Sequence, residues 1–429
     1  MIATLRNAWR VDEIRKKLLF VLFMILLYRL GNAITVPYIN ASVLSSEFQR
    51  MSSTVLGFLN TMSGGALSQA SIFALSIQPY INASIIIQLL TVAIPALERL
   101  QKEEGEDGKK KIEKITRYST IGIAALQGYG YYVLISQWEG VFDSTATGIW
   151  PPIVIVATFM TGSALLMWMG EQITEFGIGN GISVILFVSI VSRFPNSLGN
   201  MISKVINEPT SWWIYVLLLL GALAIIVLIV IVTNAERRIP VQYSKRVVGR
   251  KMYGGQSTHL PMKVNMSGVL PVIFAQSIAS IPATVVAFVP RWKDGWLTKA
   301  LDPSSIPYMV VYFLLILFFS YFYSTIQFNP IEIANNLKKN GGFIPGFRAG
   351  KPTSEFIQKV LTKITLFGAI FLAIIALAPM IISYCSPTAK NSGISMGGTS
   401  IIIVVSVALE TIKQLESQLL MRHYKGFLE

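Results

Sequence analysis

Long apolar segments alternate with charged loops along the whole chain. Ten such segments can be distinguished, at residues 18–36, 74–94, 118–136, 152–169, 178–194, 212–233, 266–289, 307–328, 364–383 and 399–412. Most of them approach the roughly 20 apolar residues that a helix needs to cross the hydrocarbon core of a bilayer. The fifth is the weakest match, because Gly179, Asn180 and Gly181 open it and Arg193 closes it, and the tenth is short if it ends at Glu410. The pattern predicts an all-α polytopic membrane protein with ten transmembrane helices.

The distribution of Lys and Arg gives a second count of the crossings, because cytoplasmic loops of membrane proteins are enriched in these residues. Basic residues concentrate in five stretches, with five in the N-terminal tail, seven at 97–117, seven at 236–265, six at 330–363 and three in the C-terminal tail. The intervening loops, together with Arg193, hold seven. The five stretches share one side only if two, four, two and two helices separate them. Ten crossings satisfy this condition and place both termini in the cytoplasm.

The composition excludes an ordinary soluble domain. Of the 429 residues, 53% are hydrophobic and 14% are charged, the mean hydropathy is +0.57, and soluble chains contain about 25% charged residues. One cysteine (Cys385) and two histidines (His259 and His423) are too few for a Cys/His metal or haem site or for an internal disulfide. We therefore expect no metal and no cofactor. The first apolar run is long and lacks a small-residue cleavage site, so no cleavable signal is expected.

The predicted membrane interior contains almost no charge. No acid lies near the middle of a segment, and Arg29 is the one cation well inside, where we expect a structural or orienting role. Ion-coupled transporters usually keep Asp, Glu or His within their spans, and an intramembrane enzyme needs a nucleophile with a base, or a metal. A secondary transporter for a small solute and an intramembrane enzyme are therefore disfavoured alternatives. No GxxxxGK[ST] motif is present, so we expect no catalytic residue and no nucleotide hydrolysis by this chain.

Ten helices can divide into two halves of five, which we place at residues 1–211 and 212–429. Because five is odd, the halves would be inverted relative to each other, and the second helix would correspond to the seventh. These two segments are the most polar and interrupted in the chain, with Gln78, Pro79 and Asn82 in one and Gln276 and Pro282 in the other. Interrupted segments at matching positions indicate a transport pathway, although polar residues can also join helices by hydrogen bonds.

Two further features each allow two interpretations. Segment 55–67 is apolar but too short to span, so it predicts either a helix that folds back into a pore or one that lies flat at the outer interface. The isoleucine runs 85–87 and 401–403 either face lipid and neighbouring helices or form an apolar constriction that gates by dewetting.

The two central basic loops differ in charge balance. Loop 97–117 offsets its seven cations with six acids and is expected to be a solvated turn. Loop 236–265 carries seven cations and one acid, Glu236. That excess predicts either a docking surface for an anionic partner or an orientation signal alone.

Several long motifs in this order resemble those of the SecY/Sec61 alpha family, the channel-forming subunits of protein translocases. They are MSGGALSQASIFALSIQPYINASIIIQLLTVAIP (62–95), GEQITEFGIGNGIS (170–183), ERRIPVQYSKR (236–246), QSTHLPMKVNMSGVLP (256–271) and NPIEIANNLKKNGGFIPGFRAGKPT (329–353). The resemblance implies an hourglass channel of two inverted halves of five helices. Such a channel would move unfolded secretory proteins across the bacterial cytoplasmic membrane and release hydrophobic segments into lipid.

The resemblance also assigns residues to the channel. A pore ring would consist of Ile77, Ile81, Ile182, Leu186, Ile273 and Ile403. A plug at 55–67 would include Leu56, Phe58, Leu59, Met62, Gly64 and Gly65. A lateral gate between the second and seventh helices, where signal sequences would bind, would include Gln78, Asn82, Gln88, Gln276, Ser277 and Ser280. Leu186 stands where isoleucine is frequent, and Gln69 stands where many relatives have arginine.

The partners implied by the resemblance are the motor ATPase SecA, the ribosome, and the small subunits SecE and SecG. Loops 236–265 and 330–356 would bind SecA or ribosomal RNA through Arg238, Arg250, Lys251 and Arg348. Guanidinium groups suit both carboxylates and phosphates, so one cationic surface could serve both partners. Glu236 precedes Arg237 and Arg238 and stands where some relatives have glutamine.

Overall fold

The computed structural model describes most of the chain. The described residues are 6, 8–50, 55–102, 105–142, 148–207, 212–243, 246–248, 251–253, 257–266, 268–288, 295–296, 300–302, 305–385 and 397–425. Fourteen helices lie in these ranges, and we number them α1 to α14. They are Asp12–Ala33, Ala41–Arg50, Val55–Met62, Gln78–Ala93, Pro95–Lys102, Gly105–Ile135, Trp150–Phe176, Gly181–Asn207, Trp212–Asn234, Leu270–Phe288, Ile306–Gln327, Pro330–Lys339, Lys351–Cys385 and Gly397–Lys425.

Each of the ten predicted apolar segments coincides with one of these helices. Within the described residues, six helical stretches are long and apolar enough to cross a membrane, or seven if the bent pair α4 and α5 forms one span. The six are Trp150–Phe176, Gly181–Gly199, Tyr215–Asn234, Ile306–Lys339, Lys351–Ile382 and Gly398–Leu420. The weak fifth segment is among them, and the tenth continues past Glu410 to Leu420. Helices α1, α6 and α10 coincide with the remaining segments, so ten crossings stay a prediction.

The second apolar segment is broken at a proline. Helix α4 ends at Ala93, the next residue Ile94 has an extended backbone with φ −107° and ψ 111°, and α5 begins at Pro95. The residue before a proline avoids helical geometry, and α5 leaves α4 at 104°. The break therefore turns the chain sharply at the end of α4.

The described residues of the basic region 97–117 are helical and mostly exposed, so the region is solvated as expected but is more helical than the turn that its charges predicted. Residues 95–102 form α5, and α6 begins at Gly105 with Glu106 and Asp107 in its first turn. Acids at this position suit the positive end of a helix dipole. The charged residues extend the third apolar segment into one helix of 31 residues.

A small sheet interrupts the all-α architecture. Strand β1 (Glu236–Tyr243) pairs with β4 (Ser257–Lys263) and with β5 (Gly342–Phe343) in the order β4-β1-β5, while β2 (Arg246–Val248) pairs with β3 (Lys251–Tyr253). Ile239 and Val241 alternate with exposed neighbours along β1 and are buried, which is the period-two pattern of a strand with one covered face. The all-α prediction is therefore corrected to a helical protein with a small β element.

The large apolar core lies between the long helices. Its buried side chains come from α1, α3, α4, α7, α8, α9, α10, α11, α13 and α14, and we call this group the central cluster. A second cluster joins the first half of the chain around Leu44, Phe48 and Tyr131. A third packs the sheet onto α13 through Ile239, Met262 and Ile357, among others. The first and third clusters contain most of the residues predicted to be functional or their immediate neighbours.

Candidate functional site

The six predicted ring residues lie in one apolar region. Ile77 caps α4 and Ile81 lies one turn later, Ile182 and Leu186 begin α8, and Ile273 and Ile403 lie near the starts of α10 and α14. Five of them belong to the central cluster and are at most 3% exposed, while the half-buried Ile182 packs against it. Residues from 1–211 and from 212–429 thus contribute to one apolar region.

The turn between α7 and α8 sets the position of Ile182. The Asn180 side-chain oxygen accepts hydrogen bonds from the backbone N–H groups of Ile182, at 3.1 Å, and Ser183, at 3.4 Å, so it caps α8. Gly181 lies directly against the Gly170 carbonyl, where a Cβ would collide with it. A Cβ on Gly170 would lie 3.4 Å from Ile182 Cγ1 and 3.6 Å from Ile77 Cδ1. The glycines therefore let two ring residues from different helices approach the same point.

The chemistry of this region follows from its aliphatic side chains. They carry no hydrogen-bond donor or acceptor and can move between rotamers. An ion placed among them would lose hydration without replacement, which is costly in an apolar surrounding.

The predicted plug segment is a short helix followed by a glycine turn. Helix α3 contacts α2, α8 and α10. Leu56 and Met62 are buried, Met62 belongs to the central cluster, and Leu59 is half-buried. Phe58 lies in the helix, and its side chain lies outside the described residues. Helix α3 is therefore packed against other helices, and whether it folds back into a pore stays a prediction.

Gly64 and Gly65 form the turn with positive φ angles of 69° and 92°, a region that favours glycine. The turn fits closely against α8, since a Cβ on Gly64 would lie 3.1 Å from the Ser189 carbonyl oxygen. A Cβ on Gly65 would lie 3.5 Å from Arg193 Nε. The glycine turn therefore packs against the first half of α8.

Two buried tyrosines also contact this segment, and the sequence analysis did not predict these contacts. Tyr28 of α1 donates a hydrogen bond to the Ser63 carbonyl at 3.2 Å. Tyr131 of α6 donates to the Leu67 carbonyl at 2.6 Å. A bond from a side chain to a distant backbone carbonyl leaves no spacing pattern in a sequence, so only the three-dimensional arrangement reveals it.

The predicted gate residues lie on α4 and α10, two helices that are in contact. Gln78 donates to Met62 Sδ at 3.7 Å, Gln88 to Ser84 Oγ at 3.2 Å, and Gln276 to the Tyr308 hydroxyl at 3.2 Å. The Ser280 hydroxyl donates to the Ser277 carbonyl at 2.8 Å. The first of these bonds joins the gate helix α4 to the plug segment.

Some polar atoms of the predicted gate residues on α4 and α10 are buried without a hydrogen bond. Among the described residues, Asn82 Oδ1, Gln276 Oε1 and Ser277 Oγ have no hydrogen-bond partner. A buried polar atom left unbonded costs about 1–3 kcal/mol. Burial of these three atoms is therefore less favourable than burial of apolar groups of the same shape.

The predicted docking residues lie on the sheet and the loop that follows it. Arg238 is exposed and forms an ion pair of 2.7 Å with Glu236 two residues earlier on β1. Arg348 is exposed in the loop between β5 and α13, and its carbonyl accepts a bond from Thr353 at 2.7 Å. Lys251 begins β3, and Arg250 lies outside the described residues. Among the described residues, no group of three His, Cys, Asp or Glu could hold a metal ion.

Comparisons with known proteins agree on one family. The model of the SecY family matches residues 71–412. The chain is 44% identical to the protein translocase subunit SecY of Streptomyces scabiei over 443 residues, covering 100% of both proteins. A solved protein-conducting channel matches with a TM-score of 0.66 at 18% identity, covering 94% of this chain and 91% of the other. Sec61 in the canine ribosome-channel complex from the endoplasmic reticulum matches with a TM-score of 0.62 at 16% identity and the same coverage.

Proposed function

The chain belongs to the SecY family, and from this premise we propose that it is the protein-conducting channel of a bacterial Sec translocase. It moves unfolded secretory proteins across the cytoplasmic membrane through a central pore and releases hydrophobic segments into lipid through a lateral gate. The family match over residues 71–412 and the full-length similarity to translocase subunits support this assignment.

The observation that carries the proposal is the convergence of the six ring residues. Four come from 1–211 and two from 212–429, and the central cluster holds or contacts all of them. Aliphatic side chains from separate helices can move apart around a polypeptide, because no hydrogen bond joins them. We assign Ile77, Ile81, Ile182, Leu186, Ile273 and Ile403 to the waist of the pore.

The lateral gate lies between α4 and α10 in this proposal. The two helices are in contact, and three polar atoms at their seam are buried without a bond among the described residues. Opening would return those atoms to water or to a bound signal sequence, which favours separation of the helices. Helix α3 and its glycine turn would form the plug, which moves when the pore is occupied.

The driving force comes from a partner. SecA or the translating ribosome would bind the sheet formed by loops 236–265 and 330–356, with Arg238 and Arg348 as contacts and Arg250 and Lys251 at the loop tip. Carboxylates of a motor and phosphates of ribosomal RNA both pair with guanidinium groups. SecE and SecG would flank the channel, and the ten crossings would place both termini in the cytoplasm. We assign no catalytic residue and no cofactor to this chain.

Reconstitution tests the proposal. The chain, with SecE and SecG, is placed in proteoliposomes and supplied with SecA, ATP and an unfolded preprotein. Protease-protected preprotein is expected only when SecA and ATP are both present. Uptake of a small solute down an ion gradient, with no protected preprotein, would instead identify a secondary transporter.

A further inference from the structure

Tyr28 on α1 contacts both the plug segment, at Ser63, and α8, at Ser189. Its hydroxyl lies 2.6 Å from Ser189 Oγ on α8 and donates to the Ser63 carbonyl, just after the last residue of α3, at 3.2 Å. Ser189 Oγ also lies 2.7 Å from the Ile185 carbonyl. When the serine donates there, the Tyr28 proton is shared between Ser189 Oγ and the Ser63 carbonyl, and when it donates to the tyrosine oxygen, the Tyr28 proton goes to Ser63, since each hydroxyl carries one proton. Tyr28 on α1 thus joins the plug to α8 through one atom.

Tyr131 on α6 contacts the plug segment at its last residue, Leu67. Its hydroxyl donates to the Leu67 carbonyl at 2.6 Å, four residues after Ser63. The residues between them are the glycine turn, Gly64 and Gly65, and Ala66. The two tyrosines, from α1 and α6, therefore bracket the hinge of the plug.

Both rings are fixed by packing, so their hydroxyls are held in place. Tyr28 is 1% exposed and stacks on Phe73 with ring centroids 5.9 Å apart. Tyr131 is 2% exposed and meets Phe159 edge to face at 5.2 Å. A ring with fixed neighbours loses little additional entropy when its hydroxyl bonds a carbonyl. The arrangement suits tyrosines that position the backbone rather than only fill space.

We propose that Tyr28 and Tyr131 are positioning residues that hold the plug in the pore, each through one hydrogen bond to the backbone beside the Gly64-Gly65 hinge. The inference rests on the proposed function, because it assigns a role within the channel's closed state. The plug is released when both hydrogen bonds break. We call the two bonds the tethers. Because both accept at backbone carbonyls, the tethers do not depend on which side chains the plug carries.

The Ser63 and Leu67 carbonyls each accept a second hydrogen bond, from a backbone N–H group. Removal of a tyrosine hydroxyl therefore costs one hydrogen bond and does not leave a carbonyl unbonded, which limits the expected change in ion leak. The Ser63 carbonyl also accepts from Ala66 N at 3.4 Å, and the Leu67 carbonyl from Ala70 N at 3.2 Å. The loss of one typical hydrogen bond shifts an equilibrium by about 2- to 10-fold. We expect Tyr28→Phe and Tyr131→Phe each to raise the ion leak of the idle channel by about 2- to 10-fold, and the double variant by about the product of the two single increases.

The experiment compares these variants with Tyr312→Phe. Tyr312 is a fully buried tyrosine of α11 whose hydroxyl has no hydrogen-bond partner among the described residues. Ion efflux from proteoliposomes and hydrogen exchange of the amides at 60–70 are measured, with thermal stability as the control for folding. Faster efflux and faster exchange at 60–70, with unchanged thermal stability and an unchanged Tyr312→Phe variant, are expected. Efflux and exchange within twofold of the parent chain in both tyrosine variants would overturn the inference.

Two further arms keep the result interpretable. If Tyr28→Phe fails to assemble, Ser189→Ala removes the other partner of the Tyr28 hydroxyl and leaves its proton to the Ser63 carbonyl alone, so exchange at 60–70 is expected to stay the same or become slower. Faster exchange in that variant counts against the tether. Preprotein import by the parent chain is measured in the same vesicles, because its failure would reject the proposed function. The exchange rates at 60–70 need no preprotein and test the tethers separately.

Discussion

Gln242 of β1 pairs with Phe343 of β5, so two loops about 100 residues apart in sequence share one sheet. The adjacent pair, Tyr243 with Gly342, extends the contact. Arg238 lies on β1 and Arg348 follows β5 by five residues. Arg238 and Arg348, two of the residues proposed to bind partners, thus belong to one folded unit, which packs on α13 through Ile357, among others.

Charge reversal at Arg348 is expected to uncouple the motor. Arg348→Glu should lower SecA-driven import at least about tenfold, since loss of one member of a desolvated interfacial charge pair costs about 2–5 kcal/mol. Protease-protected preprotein is the measurement, and Lys359→Glu, an exposed charge reversal on α13, is the control. Import that falls equally in both variants would indicate a general charge effect, and normal import by Arg348→Glu would remove the assignment.

Removal of the Glu236 carboxylate is expected to strengthen binding to RNA phosphates. Glu236 pairs with Arg238 at 2.7 Å on an exposed surface, and an exposed pair contributes about 0.2–1 kcal/mol. Glu236→Gln should therefore tighten ribosome binding about 1.5- to 5-fold at low salt and less at high salt. Co-sedimentation across a salt series measures the effect, with Glu355→Gln as an exposed control on α13. Equal gains in both variants would point to net charge alone.

A covalent link between α4 and α10 is expected to stop transport. The only native thiol, Cys385, is exposed, so it is first replaced by alanine. Cysteine pairs at apposed positions of α4 and α10 should then form disulfides on oxidation and abolish import, with recovery on reduction. Single-cysteine variants under the same oxidant are the control. Full import with the disulfide intact would show that the helices need not separate.

The glycine contact behind the ring gives a stability prediction. Gly181 lies against the Gly170 carbonyl, where any Cβ collides with backbone. Gly181→Ala is therefore expected to destabilise the folded chain by about 1–3 kcal/mol or more, as overpacking does. Gly199→Ala lies in the same helix with nothing within 4 Å of its Cβ and should be neutral or stabilising by up to about 1 kcal/mol. Thermal stability in detergent distinguishes the two variants, and equal behaviour would contradict the close approach.

The positions of the long helices could be predicted from the sequence because each has a continuous apolar run. Even the weak fifth segment, with Gly179 and Gly181 at its start, forms a helix, since Asn180 supplies a local cap. The number of crossings is harder to obtain from composition, because charged residues extend α1 and α6 beyond their apolar parts. The family resemblance is confirmed by the full-length match to translocase subunits.

The features that the sequence did not predict depend on contacts between distant residues. The sheet requires β1 to pair with β5 across the six described elements between them, β2, β3, β4, α10, α11 and α12, and β5 has only two residues. The tyrosine contacts with the plug depend on backbone carbonyls at Ser63 and Leu67, which every residue possesses. The ring residues came from family resemblance, because isoleucines at a pore and isoleucines facing lipid have the same local pattern.

Site-specific photocrosslinking tests the central claim that an unfolded polypeptide passes between the ring residues. A photoreactive amino acid replaces Ile81 or Ile273 in the ring, or Leu228, an exposed residue of α9, and import is stalled part-way with a folded domain at the end of the preprotein. We predict adducts between the preprotein and positions 81 and 273 that require SecA and ATP, and none at position 228. Import without ring adducts, or adducts equally strong at position 228, would contradict a path through this constriction.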